Sequence, residues 1–264
     1  MRVLITGTAG FIGFHVARRL LSEGHAVVGI DGITPYYDQS LKRRRHEILG
    51  EFPQFSANVF MLEDGPRLTE CVRSTAAEIV IHLAAQAGVR YSAENPRAYI
   101  DSNVVGTFNL LEALRGTPCK HLIVASTSSV YGATGKIPFE ETQETDSPIS
   151  LYAATKKASE VLAYNYAAGT GLATTVVRLF TVYGPWGRPD MAIFKFTRNI
   201  IEGQPIDVYG FGNMTRDFTY IDDTVESIRR LIDRPPPMPA ASYRRVNVGG
   251  GQPVGLLDFI AAIE

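Results

Sequence analysis

Two side chains in the run Ser150-Leu-Tyr-Ala-Ala-Thr-Lys-Lys157 could move a proton: Tyr152 and Lys156. Four residues along a helix is about one turn, so both project from one face. A free phenol, with a pKa of about 10, is a poor base at neutral pH, and an ammonium a few ångströms away favours the phenolate. The pair reads as a proton acceptor with its tuner. The spacing alone suits an ordinary surface helix equally well, so its meaning depends on what the chain arranges around it.

The first such arrangement is a cofactor turn. Gly7-Thr-Ala-Gly10-Phe11-Ile12-Gly13 follows an apolar run and opens a helical pattern. Glycines there permit a tight turn, and backbone N–H groups with the helix dipole can meet a pyrophosphate. A second apolar run ends at Asp31, within the roughly 20-residue interval expected for an acid on the adenosine ribose. Its carboxylate suits the hydroxyls of NAD and would repel a 2′-phosphate, so NAD is expected over NADP. The basic run Lys42-Arg-Arg-Arg45 falls on a helical pattern further along and is expected to be a solvated helix face.

β-Branched runs near 2–6, 26–31, 58–62, 78–83, 120–126 and 173–179 alternate with helical patterns near 11–23, 40–49, 66–76, 96–115 and 150–168. Strands separated by helices predict an α/β fold, a Rossmann-like doubly wound parallel sheet covered on both faces. Past Phe180 the texture changes to Pro- and Gly-rich loops, with a helix near 191–202, strands near 206–209 and 217–221, and a helix over 223–232. Residues 1–179 are therefore expected to form the NAD-binding domain and 180–264 a smaller substrate-binding cap that can interleave with the sheet. The helical pattern of Leu256 to Glu264 runs on without a stop signal, and the cap is expected to continue past it.

Composition narrows the partners. With 26 basic and 27 acidic residues the net charge is −1, which gives no field to draw in nucleic acid or an anionic membrane. No stretch approaches the ~20 apolar residues of a membrane span. Five scattered histidines and two isolated cysteines lack ligand or disulfide spacing, so no metal is expected, and a reducing cytoplasm fits. The hydroxyl cluster Ser126 to Ser129 could by itself be an ordinary strand-end turn. Small-molecule chemistry is the expectation, with a dinucleotide-sensing binding protein as the non-enzyme alternative.

Jointly and in order, the Gly7/Gly10/Gly13 turn, His82-Leu-Ala-Ala85, Asn103, Ser126-Thr-Ser-Ser-Val-Tyr-Gly132, Tyr152-x-x-x-Lys156 and Arg216-Asp-Phe-Thr-Tyr-Ile-Asp-Asp223 resemble the extended short-chain dehydrogenase/reductases that act on nucleotide sugars. The resemblance covers essentially the whole chain. Within that family, Gln86-Ala-Gly-Val-Arg-Tyr-Ser92 and Phe180-Thr-Val-Tyr-Gly-Pro-Trp-Gly-Arg-Pro-Asp-Met191 look most like the UDP-glucuronate 4-epimerases.

That resemblance implies a catalytic set of Tyr152, Lys156 and Thr127, with Tyr152 and Lys156 also on the cofactor. It implies NAD contacts at Gly7, Gly10, Phe11, Ile12, Gly13, Asp31, Asp64, Leu83, Ala84, Ala85, Asn103 and Ser126. Substrate contacts are implied at Thr127, Ser128, Ser129, Tyr152, Thr181, Arg188, Arg216 and Arg90, with Arg188 holding a sugar carboxylate. Gly32 departs from the Asn frequent in relatives, and Glu63-Asp-Gly-Pro66 from the usual acidic-aliphatic pair near the adenine. The implied activity is redox-neutral C4 epimerisation of UDP-glucuronate to UDP-galacturonate through a 4-keto intermediate, in a homodimer. Decarboxylation of UDP-glucuronate and epimerisation of UDP-glucose are the alternatives.

Overall fold

The computed structural model describes residues 1–133, 136–237 and 242–264. Its strands are β1 (Arg2–Thr6), β2 (Ala26–Asp31), β3 (Phe55–Val59), β4 (Ile79–His82), β5 (His121–Thr127), β6 (Thr174–Leu179), β7 (Thr181–Tyr183), β8 (Thr215–Tyr220), β9 (Tyr243–Val248) and β10 (Pro253–Gly255). The helices are α1 (Phe11–Ser22), α2 (Gln39–Gly50), α3 (Gly65–Thr75), α4 (Tyr91–Glu94), α5 (Pro96–Tyr99), α6 (Gly106–Leu114), α7 (Leu151–Thr170), α8 (Ala192–Ile201), α9 (Ile221–Ile232) and α10 (Leu256–Ile263).

Seven strands form one sheet in the order β3-β2-β1-β4-β5-β6-β9, and every pairing in it is parallel. This is the expected Rossmann-like, doubly wound arrangement, and period-2 alternation explains how both faces are filled. Val3, Ile5, Ile79, Ile81 and Ile123 point into a core shared with α1 and α9. Leu4, Val80, Leu122 and Val124 point the other way, toward α3, α6 and α7. The order reverses between β1 and β4, which opens a crevice at the carboxyl ends of the strands where such sheets bind ligands.

The structure departs from the sequence expectations at four places. The third strand lies at Phe55–Val59, because Asp31 pairs with Val59 and pairing stops there. Phe60 and Leu62, which lent the expected 58–62 run its apolar texture, instead pack into the core as the chain leaves the sheet. The expected long helix over 96–115 is α5, then a π-helical turn over Ile100–Val105, then α6. No strand forms at 206–209; the backbone there leads into a short 3-10 turn, Tyr209–Gly212. The seventh strand, β9, was not expected: its two arginines, Arg244 and Arg245, break the apolar pattern of an edge strand beside β6.

A second sheet of order β10-β8-β7 lies past Phe180, with β8 parallel to β7 and antiparallel to β10. Among the described residues no helix is long and apolar enough to cross a membrane.

Candidate active site

The glycine turn is shaped by contacts that admit no side chain. Gly7 has φ +85°, and a Cβ there would lie 2.7 Å from the backbone nitrogen of Ala84. At Gly13 a Cβ would stand 2.0 Å from the Gly7 carbonyl oxygen, so the first turn of α1 can close only around hydrogen. Gly10 caps α1 without a side-chain bond, leaving its first N–H groups facing the crevice. Asp31, ending β2, accepts from the backbone N–H of Ala9 at 2.9 Å and of Ile33 at 2.8 Å. It is thereby fixed beside the turn.

One pocket runs along this crevice. Its walls include Gly7, Gly10, Phe11, Ile12, Gly13, Asp31, Leu83, Ala84, Ala85, Ser126, Thr127, Tyr152, Lys156 and Arg188. The cofactor turn, the proton-transfer pair and the arginine expected on the sugar are therefore brought together.

Tyr152 and Lys156 ride on α7, whose N-terminus is capped by the Ser150 hydroxyl accepting from Ala153 N–H at 3.1 Å. Burial pushes the Tyr152 phenol above its usual range, against a hydrogen bond with Thr127 and the charge of Arg188, which pull it down. Burial also pushes the Lys156 ammonium down to about 8, opposed by Glu160 one turn along. The Arg188 charge favours the Tyr152 phenolate, and the Lys156 charge disfavours protonation of His82.

His82 ends β4, buried, with Nδ1 2.8 Å from the Thr6 hydroxyl and Nε2 3.0 Å from the Thr107 hydroxyl. Burial, with the Lys156 charge, pushes this imidazole down to about 3, so it is neutral. Asn103, in the π-helical turn, donates to the Gln86 carbonyl and the Thr155 hydroxyl at 3.0 Å each and accepts from Gln86 N–H at 2.8 Å. It ties the loop after β4 to α7 and lies outside the lining. A π-turn is a frequent device at functional sites because it re-aims one side chain.

Behind the pair, Arg178 and Glu160 form a buried two-pronged ion pair at 2.9 and 2.7 Å, and Ser126 donates to the same carboxylate at 2.5 Å. This closes α7 onto β5 and β6.

Several expected residues lie outside the lining. Asp64 caps α3, accepting from Arg67 N–H at 3.2 Å. Ser128 and Ser129 sit in a 3-10 turn, where Thr127 donates to the Ser129 hydroxyl at 3.2 Å. Thr181 opens β7 next to the lining residue Phe180. Arg90 precedes α4, and Arg216 is exposed on β8, donating to the Thr215 carbonyl at 2.8 Å.

Other lining residues escaped the sequence reading: Tyr36, Tyr37, Lys42, Met61, Glu63, Ser102 and Met191. The basic run is not a solvated face throughout. Lys42 is buried, donating to the Thr34 carbonyl at 2.8 Å, and Arg45 is buried, donating to the carbonyls of Ala9 and Trp186 at 2.8 and 2.6 Å. A helix with buried residues three apart in a charged run gives an inward stripe that the hydropathy pattern hides. Among the described residues no group of three or more His, Cys, Asp or Glu could hold a metal.

A parallel sheet with a glycine turn after β1 and a Tyr-x-x-x-Lys helix facing it defines a dinucleotide-dependent enzyme of the short-chain type, and the chain belongs to the NAD dependent epimerase/dehydratase family, whose profile matches residues 3–249. It is 57% identical to a probable UDP-glucuronate 4-epimerase of Rhizobium meliloti (strain 1021), over 100% of this chain and 82% of that protein. It is 47% identical to UDP-glucuronate 4-epimerase 1 of Arabidopsis thaliana, over 99% of this chain and 64% of that one. The crystal structure of UDP-glucuronic acid 4-epimerase from Bacillus cereus in complex with UDP-glucuronic acid and NAD superposes with a TM-score of 0.91 at 32% identity, covering 100% of this chain and 82% of that chain.

Proposed function

We propose that the chain is an NAD-dependent epimerase that interconverts UDP-glucuronate and UDP-galacturonate by inverting C4. The observation that carries this reading is the meeting, in one pocket wall, of the Thr127-bonded Tyr152 phenol, Lys156 and Arg188 with the glycine turn and Asp31. The likeness to UDP-glucuronate 4-epimerases along the full chain supports it.

The residues present fit NAD. Gly7 and Gly13 form a cradle that a Cβ would fill, and Asp31 stands where ribose hydroxyls would be held. When bound, NAD supplies a hydride acceptor that returns the hydride to the sugar. Tyr152 would take the C4 hydroxyl proton and give it back after the ring has turned over. Thr127 would steady the reacting oxygen, and Lys156 would keep positive charge beside the cofactor ribose. Arg188 would grip the sugar carboxylate through its planar fork. A 4-keto uronic acid is a β-keto acid and loses carbon dioxide when its carboxylate can swing out of plane with the forming enolate. Holding that group is thus what separates epimerisation from decarboxylation.

The lining has no carboxylate next to Thr127 that could act as a second acid, since Ser128 and Ser129 follow it. This favours return of the hydride to C4 over elimination. We also propose a homodimer: Val105, Phe108, Val161 and Tyr164 leave apolar surface exposed around α6 and α7. The unpaired thiols of Cys71 and Cys119 support a reducing cytoplasm.

The test is incubation with UDP-glucuronate, without added cofactor, followed by proton NMR. UDP-galacturonate with its carboxylate retained supports the reading. UDP-xylose or a 4-keto pentose as main product overturns it in favour of decarboxylation. Turnover of UDP-glucose alone overturns the acid-sugar assignment.

A further inference from the structure

The segment that carries Arg188 begins as a tight turn, Gly184-Pro-Trp-Gly187, in which the Gly187 N–H donates to the Gly184 carbonyl at 3.1 Å. Trp186 stands in it at φ +61°, a backbone conformation that L side chains rarely adopt. A turn strained in this way keeps its shape only while its surroundings fix it. Contacts from α1 and α2 do so. The Trp186 ring packs against Phe14 with centroids 5.7 Å apart, and the Pro185 carbonyl lies 2.9 Å from His15 Nε2. From α2, Arg45 Nη2 donates to the carbonyls of Trp186 and Gly187 at 2.6 and 3.4 Å.

Arg45 is the unusual member of this set. Its side chain is fully buried, yet its hydrogen bonds go to carbonyls and a phenol, none of them to a carboxylate. Its Nε, also buried, has no hydrogen-bond partner. Burying a guanidinium without a counter-charge is costly, so stability alone does not account for it. The geometry does account for a link. Nη1 donates to the Ala9 carbonyl and the Tyr37 hydroxyl at 2.8 Å each, while Nη2 serves the Trp186 turn. Ala9 immediately precedes Gly10, the cap of α1, and its own N–H is held by Asp31. One planar fork thus joins the cofactor turn to the turn that leads into Arg188.

We infer that Arg45 is a positioning residue for Arg188, locking the arginine that grips the sugar carboxylate at a fixed place relative to the cofactor turn. The inference rests on the grip proposed for Arg188 in the preceding section. An Arg188 whose backbone drifts loses the two-pronged geometry on which preference for an acid sugar depends, even with its Asp190 pair intact. Lysine at this position keeps the charge but gathers its donors at one point, so it cannot hold the Ala9 and Trp186 sides together as a fork does.

The experiment titrates the NAD-loaded protein calorimetrically with UDP-glucuronate and with neutral UDP-glucose, in a Tyr152→Phe background so that no turnover intervenes. The ratio of the two dissociation constants reads the grip on the carboxylate. Arg188→Gln is expected to lower the preference for the acid sugar by about tenfold to hundredfold, as for loss of a hydrogen bond to a charged partner. Arg45→Lys is expected to lower it by about tenfold, and Tyr37→Phe, which takes one acceptor from the fork, by roughly threefold. Adding Arg45→Lys to Arg188→Gln is expected to cost no further preference, because both act through one grip. Arg44→Lys, in the same run but exposed, is expected to keep the ratio of the background. An unchanged preference in Arg45→Lys, or losses that add in the double variant, overturns the inference while leaving the grip of Arg188 standing. If Arg45→Lys does not fold, Tyr37→Phe decides by the same criterion. Absence of any preference before Arg45 is altered overturns the grip itself.

Discussion

Arg188 and Asp190 meet edge to edge: Nε donates to Oδ1 at 3.0 Å and Nη2 to Oδ2 at 2.5 Å, and the Tyr36 hydroxyl donates to the same Oδ2 at 2.9 Å. The carboxylate occupies one edge of the guanidinium fork and sets its plane. The Nη1 donors stay outside that pair. Burial pushes the Arg188 guanidinium down, but Asp190 more than offsets this, so the charge persists inside the pocket. A fixed plane is what a restraint on a sugar carboxylate needs, because a two-pronged grip is lost once the fork rotates.

Replacing Asp190 with Asn keeps the shape and removes the charge that aligns Arg188. We expect KM for UDP-glucuronate to rise by about tenfold, the equivalent of one charge-assisted hydrogen bond. The fraction of product that has lost carbon dioxide should rise as well. Proton NMR of the product mixture checks this, and an unchanged product ratio would show that Asp190 does not orient Arg188 for substrate.

Tyr152→Phe removes the proton acceptor and leaves the ring that packs edge-on to Tyr99, with centroids 6.2 Å apart. Turnover should fall by about 10²–10⁴-fold, the usual contribution of a general base. Dinucleotide released on denaturation should match the native amount. Near-normal turnover would remove Tyr152 from the base role.

Two cations line the pocket with that phenol, and each can be removed separately. Arg188→Gln withdraws the charge that opposes burial at Tyr152, so the acid limb of the kcat profile should move to higher pH. Lys156→Ala removes the second nearby cation and should move the limb in the same direction. Profiles measured at saturating substrate give the share of each, and an unmoved acid limb in both variants would mean that neither cation tunes the phenol.

Much of this site could be read from the sequence because it depends on residue types that the backbone itself demands. Gly7 and Gly13 announce a turn with no room for a Cβ, and strand-to-helix order places it. What stayed hidden depends on three-dimensional neighbours. Asp64 and Glu63 are adjacent, and nothing in their types says that one caps α3 while the other turns inward. Likewise, Arg45 is as charged as Arg44, yet it is buried because carbonyls of the glycine turn and of the Trp186 loop converge on it. The strand β9 was missed for a similar reason: an edge strand bearing Arg244 and Arg245 has no apolar alternation to read.

If α6 and α7 pair with their copies, a charge placed on their exposed apolar surface should split the assembly. Val161 is exposed on α7 and Phe108 on α6. The native chain is expected to sediment as a dimer at micromolar concentration, and Val161→Glu as a monomer with its dinucleotide still bound. A native monomer under those conditions would count against the assembly.

The neutral imidazole of His82 makes stability depend on pH in a direction that can be worked out. Its folded value, about 3, lies below the ordinary 6.5, so between these values the unfolded chain binds more protons than the folded one. Stability therefore rises with pH through that window and is lost on acidification. At pH 4.5 the cost from this one group is roughly 2–3 kcal/mol. His121, pushed by burial to about 4, acts in the same direction. A His82→Gln substitution, which retains a two-sided hydrogen-bonding group between Thr6 and Thr107, should make the loss between pH 7 and pH 4.5 smaller by about that amount. Urea midpoints at the two pH values test this, and equal pH slopes for the native and variant chains would mean that His82 is not the group that must take up a proton for the fold to give way.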